Sequence, residues 1–221
     1  MNWLFKMFNQ SIGKKLLMAL TGLFLIVFLC VHLFGNIFLY VGKDAFNLYV
    51  HTLNETALVY FIRLLEIGLV LGFGFHIWDG LRLWLQNRKA RPIPYKINSA
   101  DPNSTFASRN MIISASIVFI FLVIHLKNFW YAFKYEKDPA LVTDYDIVLG
   151  IFKDPVYSLI YVFAMILLGL HLWHGFQSAF QTLGLNHQKY TPFIKAVGRL
   201  FAFLIAFGFA SFPIYFFFFG R

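Results

Sequence analysis

Apolar positions along this chain gather into five long stretches, set apart by short segments rich in charge and turn-forming residues. From Leu16 to Gly42 a run of 27 residues carries no charge, more than the roughly 20 that take a helix across a bilayer. It is too long for a signal-peptide core and no small-residue cleavage site follows, so it is expected to be retained as a first membrane helix. Comparable stretches predict helices over about 57–86, 109–133, 155–183 and 193–219, the fourth opening at Pro155, a good first-turn residue. Between them, Lys43–Thr56 reads as short and polar, and Lys134–Asp154 as a mixed-charge connection. Asn87–Ser108 reads as a basic loop, with Pro92, Pro94 and Pro102 unsuited to a continuous helix. Nothing reads as strand. The expected fold is an all-α integral membrane protein, a five-helix transmembrane bundle in one domain over 1–221, because each apolar segment needs its neighbours.

Composition agrees: 59% of residues are hydrophobic and 13% charged, against about 25% charged in a soluble chain. The net charge of +9 would suit nucleic acid only as a basic stripe on a soluble face. Here the cations lie between apolar runs, where topology accounts for them, and no nucleic-acid partner is expected. One side of the predicted bundle collects twelve Lys and Arg, from the first 15 residues (Lys6, Lys14 and Lys15), Arg82–Arg109 and Lys189–Arg199; the other collects seven. The richer side is expected to be cytoplasmic, with the N-terminus inside and the C-terminus outside. The second stretch also carries Arg63 with Glu66 and Asp79 with Arg82, each pair spaced to share a helix face.

Histidines stand in four of the five stretches: His32, His76, His125 and His171. His76-Ile77-Trp78-Asp79-Gly80 is echoed by His171-Leu172-Trp173-His174-Gly175. His32 and His76 are 44 residues apart and His125 and His171 46, as a duplication would leave them. Ionisable groups inside a membrane are costly and point to function. Each histidine lies past the middle of its helix, about 6–8 Å from the midplane. Successive helices run in opposite directions, so His32 and His125 should lie in one half and His76 and His171 in the other, about 12–15 Å apart in depth. Two pairs of imidazoles at two depths suit two bis-histidine haems, whose irons have no open position for oxygen chemistry. Gly80 and Gly175, four residues after His76 and His171, would let a flat porphyrin approach. Trp78 and Trp173 could pack near such a ring or face lipid. His174 competes with His171; the spacing to glycine favours His171, leaving His174 as a neighbour of the ligand or a propionate contact. A histidine bonded to a backbone carbonyl is the plainer alternative for each position. His51 and His187 fall in predicted loops.

Cys30 is the only cysteine, which excludes an internal disulfide, a cysteine-held iron–sulfur cluster within the chain and covalent haem attachment through Cys-x-x-Cys-His. No Gly-rich dinucleotide or phosphate-loop pattern is present, so hydride chemistry would belong to another subunit.

At these residues the chain resembles the B-type di-haem cytochrome b subunit of succinate:quinone oxidoreductases, the succinate dehydrogenases and fumarate reductases. The resemblance covers the whole chain: five helices, an inside N-terminus and one histidine on each of the first four. It implies two haem b groups, His76 with His171 on the proximal one and His32 with His125 on the distal one. The His-x-x-x-Gly form is absent at the distal ligands, where Asn36 and Phe129 take the glycine positions. It further implies a multi-pass protein of the bacterial cytoplasmic membrane, docked to a flavoprotein subunit with FAD and an iron–sulfur subunit on the cytoplasmic face. Electrons from succinate would pass through the clusters and the proximal and distal haems to quinone, menaquinone near the outer side, or the reverse in fumarate reduction. Arg63 and Glu66 are the ionisable pair nearest the outer half: candidates for quinone protonation, or a buried pair tying helices together. Cytochrome b subunits of hydrogenases or formate dehydrogenases share the composition without this one-per-helix layout. A non-redox transporter relaying protons through its histidines is the alternative of another class.

Overall fold

The structure, a computed structural model, describes residues 10–90, 105–138 and 140–220. Lys6, Pro92, Pro94 and Pro102 lie outside the described residues. The described chain is helical, without a strand. In order, α1 is Ser11–Val41, α2 Lys43–Glu55, α3 Leu58–Lys89, α4 Phe106–Arg109, α5 Met111–His125, α6 Asp144–Lys153, α7 Pro155–Thr182 and α8 Thr191–Phe219. Five helices are long and apolar enough to span a membrane: α1, α3, α7, α8, and α5 together with the π-helix that prolongs it over Leu126–Glu136.

Three expectations about the connections are corrected. Lys43–Thr56 is a helix, α2, which buries Phe46 and is set off from α1 by Gly42, at φ 129° a backbone conformation that favours glycine. Within Lys134–Asp154 lies a further helix, α6, whose Thr143 hydroxyl accepts from the Asp146 N–H while Asp146 accepts from the Thr143 N–H. The predicted loop from Asn87 starts later, because α3 runs on to Lys89, and Phe106–Arg109 forms a helical turn capped by Thr105. The last of these is cheap to explain: Arg88 and Lys89 favour a helix C-terminus.

α2 and α6 close one end of the bundle, hereafter the cap end. Lys43 bonds Asp146 at 2.8 Å, Asn47 accepts from the Tyr145 N–H at 3.1 Å, and Lys137 bonds Asp144 at 2.8 Å. Beneath this cap a core of Leu39, Phe46, Val148, Phe152, Tyr161, Phe212 and Phe216 joins five helices. α7 is the central helix, packed against α8, α5 and α1. Small residues permit its closest approach: a Cβ on Gly169 would stand 3.0 Å from that of Ala206 on α8. α3 sits to one side, against α1 and α2. Gly72 lets it close on α1, since a Cβ there would lie 2.7 Å from the Phe24 ring. The space left between α1 and α3 on one side and α5 and α7 on the other is the site.

Candidate functional site

A cavity of about 2440 Å³ runs through the bundle, lined by His32, His76, His125, His171 and His174, with His51 also on its wall. Its walls are otherwise mainly apolar, with a few ionisable residues toward the ends. The four predicted histidines meet two by two across it. His32 and His125 have ring centroids 5.8 Å apart at an interplanar angle of 85°; His76 and His171 are 6.2 Å apart at 71°.

The separation of the pairs follows from the helices that carry them. On α1, Gly22 lies against the His76 ring and His32 follows ten residues later. On α7, Tyr161 packs on the His125 ring and His171 follows ten residues later. Ten residues of helix rise about 15 Å, so two independent helices set the same spacing. The sequence-based figure of about 12–15 Å, before tilt, falls beside it. His32 and His125 belong to the cap end, His76 and His171 to the other.

Hydrogen bonding differs within each pair. His76 Nδ1 lies 3.2 Å from the Thr21 hydroxyl, while His171 Nδ1 is buried without a hydrogen-bond partner. His32 Nδ1 has only the Asn36 amide at 3.5 Å, at the outer limit of a hydrogen bond, and that amide donates at 2.7 Å to the His32 carbonyl. His125 Nδ1 is buried without a partner, and its ring is enclosed by Phe121, Phe129 and Tyr161. Among the described residues no backbone carbonyl accepts a hydrogen bond from these rings.

The two marked glycines behave differently. A Cβ on Gly175 would meet open space, as a porphyrin-facing position requires, whereas one on Gly80 would come 3.3 Å from the Met18 side chain of α1. Gly80 therefore also serves helix packing. Trp78 is exposed and Trp173 packs against the Leu172 core, so neither tryptophan lines the cavity. His51 is on α2, not in a loop, and pairs with Glu55 at 3.2 Å; His187 lies in the turn before α8. Asp79 is buried with one carboxylate oxygen lacking a hydrogen bond among the described residues.

Arg63 and Glu66 pair at 2.9 Å, as their spacing predicts, and both line the cavity. Glu66 also accepts from Lys134 and from the Trp130 indole, which reach it from the prolongation of α5. Met18 beside Gly80, Gly22 beside His76 and Phe28 beside Phe73 give the antiparallel register of α1 and α3. That register, continued, brings Glu66 level with His32.

The π-helix explains how Lys134 arrives there. Nine residues beyond His125, it would point about 180° away from the histidine in an α-helix. At about 4.4 residues per turn it returns to within about 20° of the His125 face. Lys134, Trp130, Thr21 and Tyr161 are the site residues that sequence reasoning missed. Thr21 was open to notice, as a hydroxyl inside an uncharged membrane run; the winding of α5 carried no such mark.

Compared with protein-family models, curated proteins and solved structures, the chain matches none. Its chemistry must therefore be read from the donor set. Among the described residues no three His, Cys, Asp or Glu side chains converge on a metal-sized site. A bare ion such as zinc, which takes four ligands, does not fit two imidazoles. Two facing imidazoles would suit a group that needs only two nitrogen ligands from the protein.

Proposed function

We propose that this chain is the di-haem cytochrome b membrane anchor of a succinate:quinone oxidoreductase, transferring electrons between cytoplasmic flavoprotein and iron–sulfur subunits and membrane quinone, with menaquinone as the expected quinone. One observation carries the reading: two imidazole pairs face each other about 15 Å apart across one large cavity. Centroid separations of 5.8 and 6.2 Å bring each pair close enough that both imidazoles could hold one iron. A haem held by two such imidazoles would supply one-electron transfer. His76 and His171 would hold the haem farther from the cap, His32 and His125 the haem nearer to it. Gly175 leaves room for a ring edge, His174 stands beside His171 on the cavity wall, and the apolar lining excludes water.

The cation-rich end opposite the cap would face the cytoplasm of a bacterial cell, where the partner subunits dock, and the cap would face outward. On that orientation Glu66 and Arg63 lie in the outer half, level with His32. We assign them to quinone binding and proton transfer, Glu66 being held as an acceptor by three donors. A Glu66→Gln variant that keeps its haems and its full rate of quinone turnover would remove this assignment.

The test of the main reading is spectroscopic. The complex purified from membranes should be red, show a b-type band on reduction, contain about two haems per chain and be reduced by succinate. His171→Ala and His125→Ala should each leave about one haem. A colourless, folded preparation would overturn the haem assignment. Haem without a flavin-bearing partner or succinate reduction would shift the protein to another class of respiratory cytochrome.

A further inference from the structure

The Thr21 hydroxyl sits 2.8 Å from the carbonyl oxygen of Leu17 and 3.2 Å from His76 Nδ1. Two oxygens at 2.8 Å need a proton between them, and a carbonyl has none to give. Thr21 must therefore spend its single proton on Leu17 and can present only lone pairs to the ring. The hydrogen in the second contact has to come from the imidazole. His76 is thus held with its proton on Nδ1 and its free lone pair on Nε2. Among the described residues none of the other three histidines has such an acceptor: His125 and His171 have no Nδ1 partner, and His32 meets only a distant amide N–H.

We infer that Thr21 is a positioning residue, which selects Nε2 of His76 as the ligating nitrogen and makes it the most basic of the four ligands. The inference rests on the haem reading above and deepens it. A hydrogen bond accepted from the far nitrogen of a ligating histidine fixes its tautomer and raises its basicity. A more basic axial ligand stabilises the oxidised iron, so Thr21 lowers the reduction potential of the haem farther from the cap. It leaves the other haem, about 15 Å away, untouched. The neighbouring Gly22 lies against the same ring, a Cβ there standing 3.4 Å from His76 Cε1.

The experiment is a redox titration of the purified complex carrying Thr21→Val, which keeps the side-chain shape and removes the hydroxyl, beside Thr21→Ser, which restores it. Expected is an upward shift of one haem potential in Thr21→Val, with a change in the low-spin ferric resonance of that haem alone, and wild-type behaviour in Thr21→Ser. Loss of that one haem in Thr21→Val, with retention in Thr21→Ser, supports the same role. A Thr21→Val complex with both haems and unchanged potentials overturns the inference alone. Wild-type protein free of haem overturns the reading beneath it and the inference with it.

Discussion

At the scale of single residues, the polar groups of this protein divide by where their partners come from. Of the four paired imidazoles in the cavity, those of His125 and His171 have buried nitrogens without hydrogen bonds among the described residues, while His32 and His76 find side-chain partners. At the cap end the polar groups are satisfied. Lys43 bonds both oxygens of Asp146, and the Thr143 hydroxyl and N–H add to them. The Lys43 ammonium, with the Thr143 donors behind it, lowers the Asp146 carboxyl from its ordinary 3.8 to about 2. A depressed acid stabilises the fold fully above its unfolded value, and that contribution is lost as pH falls through the folded one. Amide exchange in α2 and α6 should therefore accelerate as pH drops from about 4 to about 2, after correction for intrinsic rates. In Lys43→Met the same helices should exchange faster already at neutral pH and respond less to acid. Equal acid response in the two proteins would show that the pair does not hold the cap.

At the scale of elements, the π-winding after His125 decides which residues of α5 see the cavity. With α-helical winding, residues 132 and 136 would lie within about 20° of the His125 face. With π-winding they turn to the opposite side, and 130 and 134 come round instead. Ala132 is buried away from the cavity, while Trp130 and Lys134 line it. A short bifunctional thiol reagent should thus link Glu66→Cys to Lys134→Cys or Trp130→Cys, in a Cys30→Ser background. It should fail with Ala132→Cys or Glu136→Cys. Efficient linkage at 132 and 136 would mean that α5 is an ordinary α-helix to its end, with the Glu66 cluster assembled otherwise. Residues 144–153 show the opposite case, an element that ordinary rules explain. Thr143 and Asp146 cap it, and Val148 and Phe152 on one face fix it to the core.

For the whole molecule, α7 packs with α8 and α5 on one side, α3 leans on α1 and α2 on the other, α1 joins the two by packing on α7, and the cavity lies between α3 and α5. The histidines at two levels, with a carboxylate held level with one of them, give it a direction. In the proposed orientation, the charge bias would set that direction against the membrane. In sealed, right-side-out vesicles, cysteines placed at Lys43 and Lys153 on the cap side should react with a membrane-impermeant maleimide. Cysteines at Lys89 and Lys189 should react only after the membrane is opened. The reverse pattern would turn the protein over and with it the side on which partner subunits dock.

Which stretches are long and apolar enough to cross a membrane was determined by the sequence alone, because burial in lipid demands a long uninterrupted apolar run, and such a run is a local property. The helix ends accordingly fall within a few residues of expectation at Val41, Leu58, Pro155, Thr182 and Phe219. The repeated His-x-x-x-Gly and the 44- and 46-residue spacings likewise marked the histidines, since spacing along helices of alternating direction translates into depth. What tertiary structure decided was azimuth and partnership. Whether Thr21 meets His76, whether Gly80 faces Met18 or the cavity, and whether Lys134 turns toward Glu66 depend on how helices rotate and register against each other. Those rotations are set by contacts between residues far apart in the chain, such as Phe24 against Gly72 and Gly169 against Ala206, and by a change of winding that leaves the apolar pattern unaltered. α2 and α6 needed the same context: each is short and charged on one side, and becomes a stable helix only where a core receives its other face.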